Sequence, residues 1–285
     1  KINVCVIGCG NWGSNHIRIF NSLPDSNLVA LADLDKTKLN SLAVRYPNIQ
    51  TTTQFEDLFD NDKIHAFIVC TQTLSHFDIV KTILMANRHV LCEKPLSVKA
   101  YEAFELNKIA IERDLVLMVG NTFLFNSGIN RLKQYIIDGE LGKISHMTAL
   151  RTNFGPIRQD VNVVYDLATH DISIYNYLLD STPIEVSAVG MSKINRNIED
   201  FSFISLRYPH DVIANINVSW LSPKKVRQIN IIGDEKMAVW NDMDNLEPIR
   251  IYDNGVIKEP YYQTYGEFQL ILRDGDINIP KVRMK

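Results

Sequence analysis

The chain has 285 residues, of which 46% are hydrophobic and 22% are charged, a balance typical of a globular protein large enough for two cores. Its formal net charge of −3 gives no reason to expect nucleic acid or an anionic membrane as a partner. The sequence has no apolar run approaching the roughly 18 residues of a membrane-spanning helix, and no signal peptide is visible in it. We therefore expect a cytoplasmic protein.

The first 120 residues alternate between strand and helix patterns. This alternation predicts a parallel sheet with helices on both faces, in which the carboxyl ends of the strands, and any ligand, lie along one edge. The predicted strands span 2–7, 28–33, 66–71, 89–92 and 115–119, and the predicted helices span 14–22, 36–46, 55–60, 75–87 and 98–113.

The turn after the first strand has the sequence G-x-G-x-x-G, formed by Gly8, Gly10 and Gly13. Gly8 allows a tight turn, Gly10 lets the backbone approach a pyrophosphate, and Gly13 lets helix and strand pack closely. The N-terminus of the next helix then offers its N–H groups to phosphates. Asp33 ends the second strand 20 residues after Gly13, where a dinucleotide fold needs a partner for the adenosine ribose. The turn and the acid together predict a dinucleotide site.

Asp33 also indicates which dinucleotide binds. It is followed by Leu34 and Asp35, with no arginine directly after it to hold a 2′-phosphate. We therefore predict NAD as the cofactor, with NADP disfavoured. Besides the glycines and Asp33, the candidate cofactor contacts in the turn, in the loops at the same edge of the sheet and at the end of the first domain are Asn11, Trp12, Thr71, Gln72, Thr73, His76, Glu93, Lys94 and Asn121.

After about residue 122 the pattern becomes that of an α+β domain. Alternation over residues 213–219 predicts an open, mostly antiparallel sheet with one polar face. We predict a dinucleotide-binding Rossmann domain over 1–121 and a substrate and oligomerisation domain over 122–285. In the second domain the predicted helices span 127–138 and 161–180, and the predicted strands span 143–151, 184–192, 200–208, 211–221, 225–233, 236–242, 248–253 and 256–259.

Three ionisable residues are candidates for catalysis. Lys94 follows the strand at 89–92, and its position fits proton transfer to a substrate as well as a surface lysine paired with Glu93. Asp166 and His170 are four residues apart on the helix predicted at 161–180, so they share one face. They fit an acid/base pair facing a pocket, and equally a buried histidine satisfied by a helical aspartate.

Cations and cysteines give weaker indications. Arg151 and Arg158 could bind an anionic substrate group, although solvated charges are usual in such a loop. The cysteines show no C-x-x-C spacing, so we expect small buried apolar residues in a reducing compartment rather than redox thiols. Because no set of His, Cys, Asp and Glu has the spacing of metal ligands, we expect no metal site.

Three of these motifs resemble the glucose–fructose oxidoreductase/inositol dehydrogenase (Gfo/Idh/MocA) family. They are the glycine turn, the sequence Glu93-Lys94-Pro95 and the spacing Asp166-x-x-x-His170. The resemblance implies a two-domain oxidoreductase that acts on sugar-like alcohols with a nicotinamide cofactor. It implies Lys94, Asp166 and His170 as catalytic residues, with Lys94 and His170 handling the hydroxyl proton. It also implies a cis peptide bond before Pro95.

A narrower resemblance, to the branch containing UDP-N-acetylglucosamine 3-dehydrogenases, rests on residues 119–126, 139–142 and 165–172. It implies oxidation of a nucleotide sugar at C3. Asn121 stands where this branch has a histidine, and Tyr165 stands where tryptophan is common. The helix that closes the family's second domain is not evident in residues 273–285, so we expect it to be missing from this chain. The candidate substrate contacts are Lys94, Phe123, Arg151, Arg158, Asp166 and His170.

Two other functions remain open, namely an inositol or free-sugar dehydrogenase and a non-catalytic NAD-binding sensor. For either enzyme the partner is a sugar or nucleotide-sugar substrate, with neither nucleic acid nor membrane. We also expect a homodimer or homotetramer formed through the exposed face of the second-domain sheet. The apolar residues assigned to that face, depending on strand register, are Ile204, Leu206, Ile216, Val218, Ile229 and Ile231.

Overall fold

The structure is a computed structural model that describes residues 1–256 and 272–282. The chain divides into two compact units, Lys1–Asn121 and Thr122–Lys285. No helix within the described ranges is long and apolar enough to cross a membrane.

The first unit is a doubly wound parallel sheet. Its six strands lie in the order β3-β2-β1-β4-β5-β6, all parallel, and this confirms the predicted fold class. The strands are β1 (Ile2–Ile7), β2 (Ser26–Ala32), β3 (Gln50–Thr52), β4 (Ala66–Val69), β5 (His89–Cys92) and β6 (Leu117–Val119), and the helices are α1 (Asn11–Ser22), α2 (Lys36–Arg45), α3 (His76–Met85) and α4 (Ala100–Glu112).

Alternating side chains of the central strand explain why both faces carry helices. Val4 and Val6 of β1 pack in a core with Ile17 of α1 and Leu39 of α2. The intervening side chains of β1 point to the opposite face, where a second core includes Val80 of α3. Because a strand buried on both faces has no polar alternation, it forms the continuous apolar run that the sequence displays.

The second unit is an eight-stranded sheet with helices on one face. Its order is β14-β13-β12-β11-β7-β10-β9-β8, and only the β7–β10 pair is parallel, as expected for a mostly antiparallel sheet. The strands are β7 (Ile144–Phe154), β8 (Glu185–Met191), β9 (Phe201–Arg207), β10 (Ile213–Ser219), β11 (Leu221–Gly233), β12 (Met237–Asn241), β13 (Ile249–Val256) and β14 (Leu272–Asn278), and the helices are α5 (Ser127–Ile137) and α6 (Thr169–Leu179).

Several sequence-based expectations differ from this structure. The helix predicted at 161–180 begins instead with a π-helical turn, Val164–Ala168, before α6. The segment predicted as a helix at 55–60 is a short 3-10 turn, Phe55–Leu58. The short polar strands β3 and β14 were not predicted, and of the strand predicted at 256–259 only residue 256 lies within the described residues, at the end of β13.

The face assignment of the second sheet was wrong. The six isoleucine, leucine and valine residues expected on the open face are buried in the core with α5 and α6. The open face instead presents the alternate residues of these strands, such as Val189, Phe203 and Leu150. In the strand register Phe203 lies opposite both Val189 and Asn217, and Asn217 lies opposite Leu150. The sequence pattern defined two faces, but the larger apolar set belongs with the helices because that contact removes most apolar surface from water.

Candidate functional site

The glycine turn has the geometry that its sequence predicts. Gly8 has a φ of +85°, and a Cβ there would lie 2.8 Å from the backbone of Cys70. A Cβ on Gly13 would lie 1.8 Å from the carbonyl oxygen of Gly8, so helix α1 and the turn pack backbone to backbone. Beside Gly10, the N-cap of α1, a Cβ would meet no atom within 4 Å. The space needed for a pyrophosphate at a helix N-terminus is therefore open.

Asp33 lies at the carboxyl end of β2 and faces this turn. Its Oδ2 accepts hydrogen bonds from the Cys9 N–H at 2.7 Å and from Lys38 Nζ at 3.2 Å, and its Oδ1 accepts one from the Asp35 N–H at 2.9 Å. Burial opposes ionisation, but these hydrogen bonds outweigh it and hold the pKa of Asp33 below its usual value. The carboxylate is thus fixed and charged beside the turn, which suits a ribose diol.

The thiol of Cys9 lies close to the charged carboxylate of Asp33. Burial, together with the nearby Asp33 carboxylate, raises the pKa of Cys9 to about 12. Cys5 and Cys92 are also buried and are free thiols. These cysteines are therefore protonated packing residues, and among the described residues no group of His, Cys, Asp or Glu could hold a metal ion.

The loop after β4 is organised by His76. This histidine is 1% exposed, with its ring nitrogens 2.8 Å from the carbonyl oxygen of Pro95 and 3.1 Å from that of Thr71. The Ser75 hydroxyl also donates to Thr71 Oγ1 at 2.9 Å. His76 therefore joins the loop after β4 to the loop after β5, and we expect it to shape the cofactor edge rather than offer a ring nitrogen to the ligand.

Glu93 and Lys94 follow β5 on the same edge of the sheet, and the peptide bond between Lys94 and Pro95 is cis, as expected. Glu93 Oε1 lies 2.8 Å from His16 Nε2, and Glu93 Oε2 accepts the Lys94 backbone N–H at 3.3 Å. A Cβ on Gly120 would lie 3.3 Å from the same oxygen. His16 was not assigned to the site from sequence, because its partner lies 77 positions away and no local pattern signals such a contact.

The other predicted cofactor residues occupy varied environments. Trp12 is 57% exposed in the first turn of α1, whereas Thr73 is 3% exposed. Asn121 is the last residue of the first unit, and its N–H donates to the Val119 carbonyl. Asn11 is exposed, and Gln72 is exposed at the start of the 3-10 turn before α3.

In the second unit, Asp166 lies within the π-helical turn. Its Oδ2 accepts a hydrogen bond from Trp220 Nε1 at 3.0 Å, and its Oδ1 accepts one from Arg158 Nη1 at 3.3 Å. Arg158 also donates to Asp160, and this bond raises the pKa of the guanidinium. π-helical turns are frequent at functional sites because they displace side chains from the regular helical rows. Asp166 is thus held from two sides.

His170 packs against an aromatic residue. Its ring meets that of Phe123 edge to face, with centroids 5.0 Å apart. The Phe123 ring also contacts Trp240 at 6.0 Å and lies beside two guanidinium groups, those of Arg151 at 4.5 Å and Arg227 at 5.7 Å. The predicted residues Phe123, Asp166 and His170 therefore belong to one region of the second unit. Trp220 and Arg227 belong to it as well, although no motif in the sequence signals them.

Arg151 is 3% exposed, and two of its nitrogens bind the carboxylate of Asp171, each at 2.8 Å. Burial raises the pKa of Asp171, while Arg151 counteracts part of that rise. Since its guanidinium is used inside the fold, we now expect Arg151 to support the neighbouring His170 rather than to touch substrate. The sequence offered one signal for this pairing, the acid directly after His170.

Comparisons with known proteins agree with this geometry. Residues 2–121 match the model of an oxidoreductase family with an NAD-binding Rossmann fold, and residues 129–239 match the GFO/IDH/MocA C-terminal domain. The chain is 25% identical to a UDP-N-acetylglucosamine 3-dehydrogenase of Acidithiobacillus ferrooxidans, over 88% of this chain and 76% of that protein. It is 23% identical to a myo-inositol 2-dehydrogenase of Thermotoga maritima, over 76% and 68%.

A crystal structure of GenD2 from gentamicin A biosynthesis, in complex with NAD, has the same fold. Its TM-score is 0.81 at 21% identity, and the match covers 99% of this chain and 80% of that chain. The chain spans about two thirds of the length of the curated relatives that it matches. The two family models together cover most of the sequence, so the chain belongs to the Gfo/Idh/MocA family of NAD-binding oxidoreductases.

Proposed function

We propose that this protein is an NAD-dependent dehydrogenase that oxidises a secondary hydroxyl of a nucleotide sugar such as UDP-N-acetylglucosamine, at C3. The observation that carries the proposal is the position of Lys94. It follows β5 at the carboxyl edge of the sheet that also bears the glycine turn and Asp33. In open parallel sheets that edge is where ligands bind. A lysine there fits a hydroxyl proton that must leave as the alcohol is oxidised.

The first unit suits the cofactor in two respects. The open space at Gly10 admits a pyrophosphate, and the ionised Asp33 accepts ribose hydroxyls while repelling a 2′-phosphate. When bound, NAD supplies the hydride acceptor, and the protein supplies position and charge.

Lys94 and His170 would handle the proton of the reacting hydroxyl. Asp166, held by Trp220 and Arg158, would help to orient His170 and support it electrostatically. Phe123 packs on the His170 ring and limits its rotation. General acid–base catalysis of this kind usually contributes about 10²–10⁴-fold in rate.

A free cyclitol or monosaccharide is the second candidate substrate. The similarity to the myo-inositol 2-dehydrogenase of Thermotoga maritima favours it, and the same three residues would serve the same chemistry. The two candidates differ in charge, because a nucleotide sugar carries a diphosphate and a cyclitol carries none.

The decisive experiment is a substrate panel. The protein would be incubated with NAD and UDP-sugars, inositols or free sugars, and NADH would be followed by its absorbance. We expect the highest kcat/KM with a UDP-sugar. Turnover confined to inositols or free sugars would favour the second candidate. NAD binding with no turnover on any member of the panel would favour a sensor.

A further inference from the structure

Two arginines lie side by side on the helix-bearing face of the second sheet. Arg151 of β7 is directly opposite Arg227 of β11 in the strand register, and opposite residues of an antiparallel pair share one face. Both guanidinium groups lie beside Phe123, which also contacts the ring of His170. Two cations therefore flank an aromatic ring that touches the imidazole assigned above to proton transfer.

The two arginines differ in how their charge is used. The Arg151 side chain is 3% exposed and forms a bidentate pair with Asp171. The Arg227 side chain is 35% exposed, and its Nη1 pairs with Asp242 at 3.0 Å. A guanidinium has five N–H donors in a fork that matches phosphate oxygens. Arg227 can therefore keep this ion pair and still donate to a second acceptor.

Asp242 holds Arg227 in place. One carboxylate oxygen accepts from Arg227, and the other accepts from Asn126 Nδ2 at 3.3 Å. The Asn126 Oδ1 in turn accepts the N–H groups of Gly128 and Ile129, so Asn126 caps helix α5. The guanidinium is thereby fixed beside Phe123 before any ligand arrives, which lowers the entropy lost on binding. Because both side chains are partly exposed, this ion pair positions the guanidinium but adds little to the stability of the fold.

We propose that Arg227 binds the diphosphate of a nucleotide-sugar substrate and so selects for that substrate class. The inference rests on the proposed dehydrogenase function. In a nucleotide sugar the diphosphate is attached to the same ring as the reacting hydroxyl, so it can reach a cation beside Phe123, the residue that contacts His170. A neutral cyclitol offers this arginine no charged partner.

The test compares Arg227→Gln with the unaltered protein. Isothermal titration of the NADH-bound protein with UDP should show affinity reduced by about tenfold to a hundredfold, the scale of one lost charge-assisted interaction. With UDP-N-acetylglucosamine, KM should rise by a similar factor while kcat changes little. Arg227→Lys keeps the charge but loses the forked donor geometry of the guanidinium. Its UDP affinity and its KM should lie between those of Arg227→Gln and the unaltered protein. Arg207→Gln, on β9 of the same sheet, is the matched control and should bind UDP normally.

NAD also carries a diphosphate, so NAD titration forms a separate arm in which Arg227→Gln should bind normally. Weaker NAD binding in that variant, or equal UDP affinity in variant and unaltered protein, would overturn the inference. The two proposals fail separately. If UDP binding depends on Arg227 but no sugar is oxidised, the dehydrogenase proposal fails and the anion site stands. If UDP-sugars are oxidised at an unchanged KM in Arg227→Gln, only the anion site fails.

Discussion

At the scale of single residues, we expect the carboxylate of Asp33 to decide the choice between NAD and NADP. Its hydrogen bonds to two backbone N–H groups keep it ionised and fixed. A 2′-phosphate would meet this charge, which the Lys38 ammonium offsets only in part. We expect NADP to bind at least about tenfold more weakly than NAD, a difference of about 1.4 kcal/mol. Fluorescence titration with both dinucleotides measures it.

Asp33→Ser should reduce the difference in affinity between NAD and NADP, mainly because NAD binds more weakly to the variant. Asp35→Ser is the control, because serine can retain the helix cap that Asp35 provides for α2. The control should bind both dinucleotides as the unaltered protein does, and equal affinities for NAD and NADP in the unaltered protein would contradict the assignment.

Acid–base chemistry is the second prediction at this scale. Lys94→Ala and His170→Ala should each lower kcat by roughly a hundredfold or more, the scale of lost general acid–base catalysis. NAD affinity should change little, because the glycine turn and Asp33 are untouched. Asp166→Asn should lose less and should shift the pH profile, since the amide keeps a hydrogen-bond acceptor but loses the charge in the turn before His170. Steady-state kinetics over a pH range, with NAD titration, measures both effects.

Lys108→Ala, an exposed lysine of α4 paired with Glu112, serves as the control and should retain full activity. Near-normal turnover of both alanine variants on the true substrate would show that the catalytic assignment is wrong.

At the scale of elements, the Arg151–Asp171 pair fastens α6 to β7. Arg151→Met leaves a buried carboxylate without its cation, which typically costs about 3–5 kcal/mol. Urea unfolding followed by the fluorescence of the buried Trp220 and Trp240 would report it. Without Arg151 the folded-state pKa of Asp171 rises further above its unfolded value. The loss in free energy of unfolding of Arg151→Met, relative to the unaltered protein, should therefore be smallest at low pH and should grow as pH rises.

The companion variant removes both charges. Arg151→Met combined with Asp171→Leu should recover much of the lost stability, because no unpaired charge remains in the core. A single Arg151→Met variant as stable as the unaltered protein would show that the pair contributes nothing to holding the helix.

The element scale also shows what a sequence can predict. The parallel strands and their helices are long apolar patterns, and the structure has them within a few residues of the predicted bounds. The polar strands β3 and β14 lack such a pattern and depend on pairing with a neighbour. The π-helical turn at Val164–Ala168 breaks the regular helical spacing assumed for Asp166 and His170. Within this turn the Asp166 carboxylate is held by Trp220 and Arg158, contacts that no local sequence pattern displays.

At the candidate site, too, residues in local motifs could be predicted from the sequence, whereas residues placed by long-range contacts could not. Lys94, Asp166 and His170 stand in short motifs that a single sequence displays. His16 and Arg227 gain their places through Glu93 and Phe123, residues far away along the chain. A contact between residues so far apart produces no periodic pattern in the sequence, so only the folded structure identifies it.

At the scale of the whole molecule, we predict a homodimer or homotetramer formed through the open face of the second sheet. Val189 and Phe203 are 66% and 51% exposed there, on neighbouring strands. Exposed apolar groups on a broad sheet face favour burial against a second copy. Phe203→Asp should therefore shift the protein toward monomer at micromolar concentration in sedimentation velocity.

Ile111→Asp is the matched control, since it places the same charge at an exposed apolar position of α4 in the first unit. It should leave the assembly intact. A monomeric unaltered protein at micromolar concentration would refute the predicted assembly.

The contact between His16 and Glu93 bears on the order in which the cofactor and the substrate bind. One carboxylate receives both the imidazole of the helix that starts at the nucleotide turn and the backbone N–H of Lys94. We expect dinucleotide binding at the N-terminus of that helix to act on the lysine through these two hydrogen bonds. We therefore expect compulsory-order kinetics, with NAD entering before the sugar. Product inhibition by the oxidised sugar should be noncompetitive toward the sugar substrate, and competitive inhibition, as in random-order binding, would contradict the expectation. Arrival of the dinucleotide would then set the lysine in place for the sugar that follows.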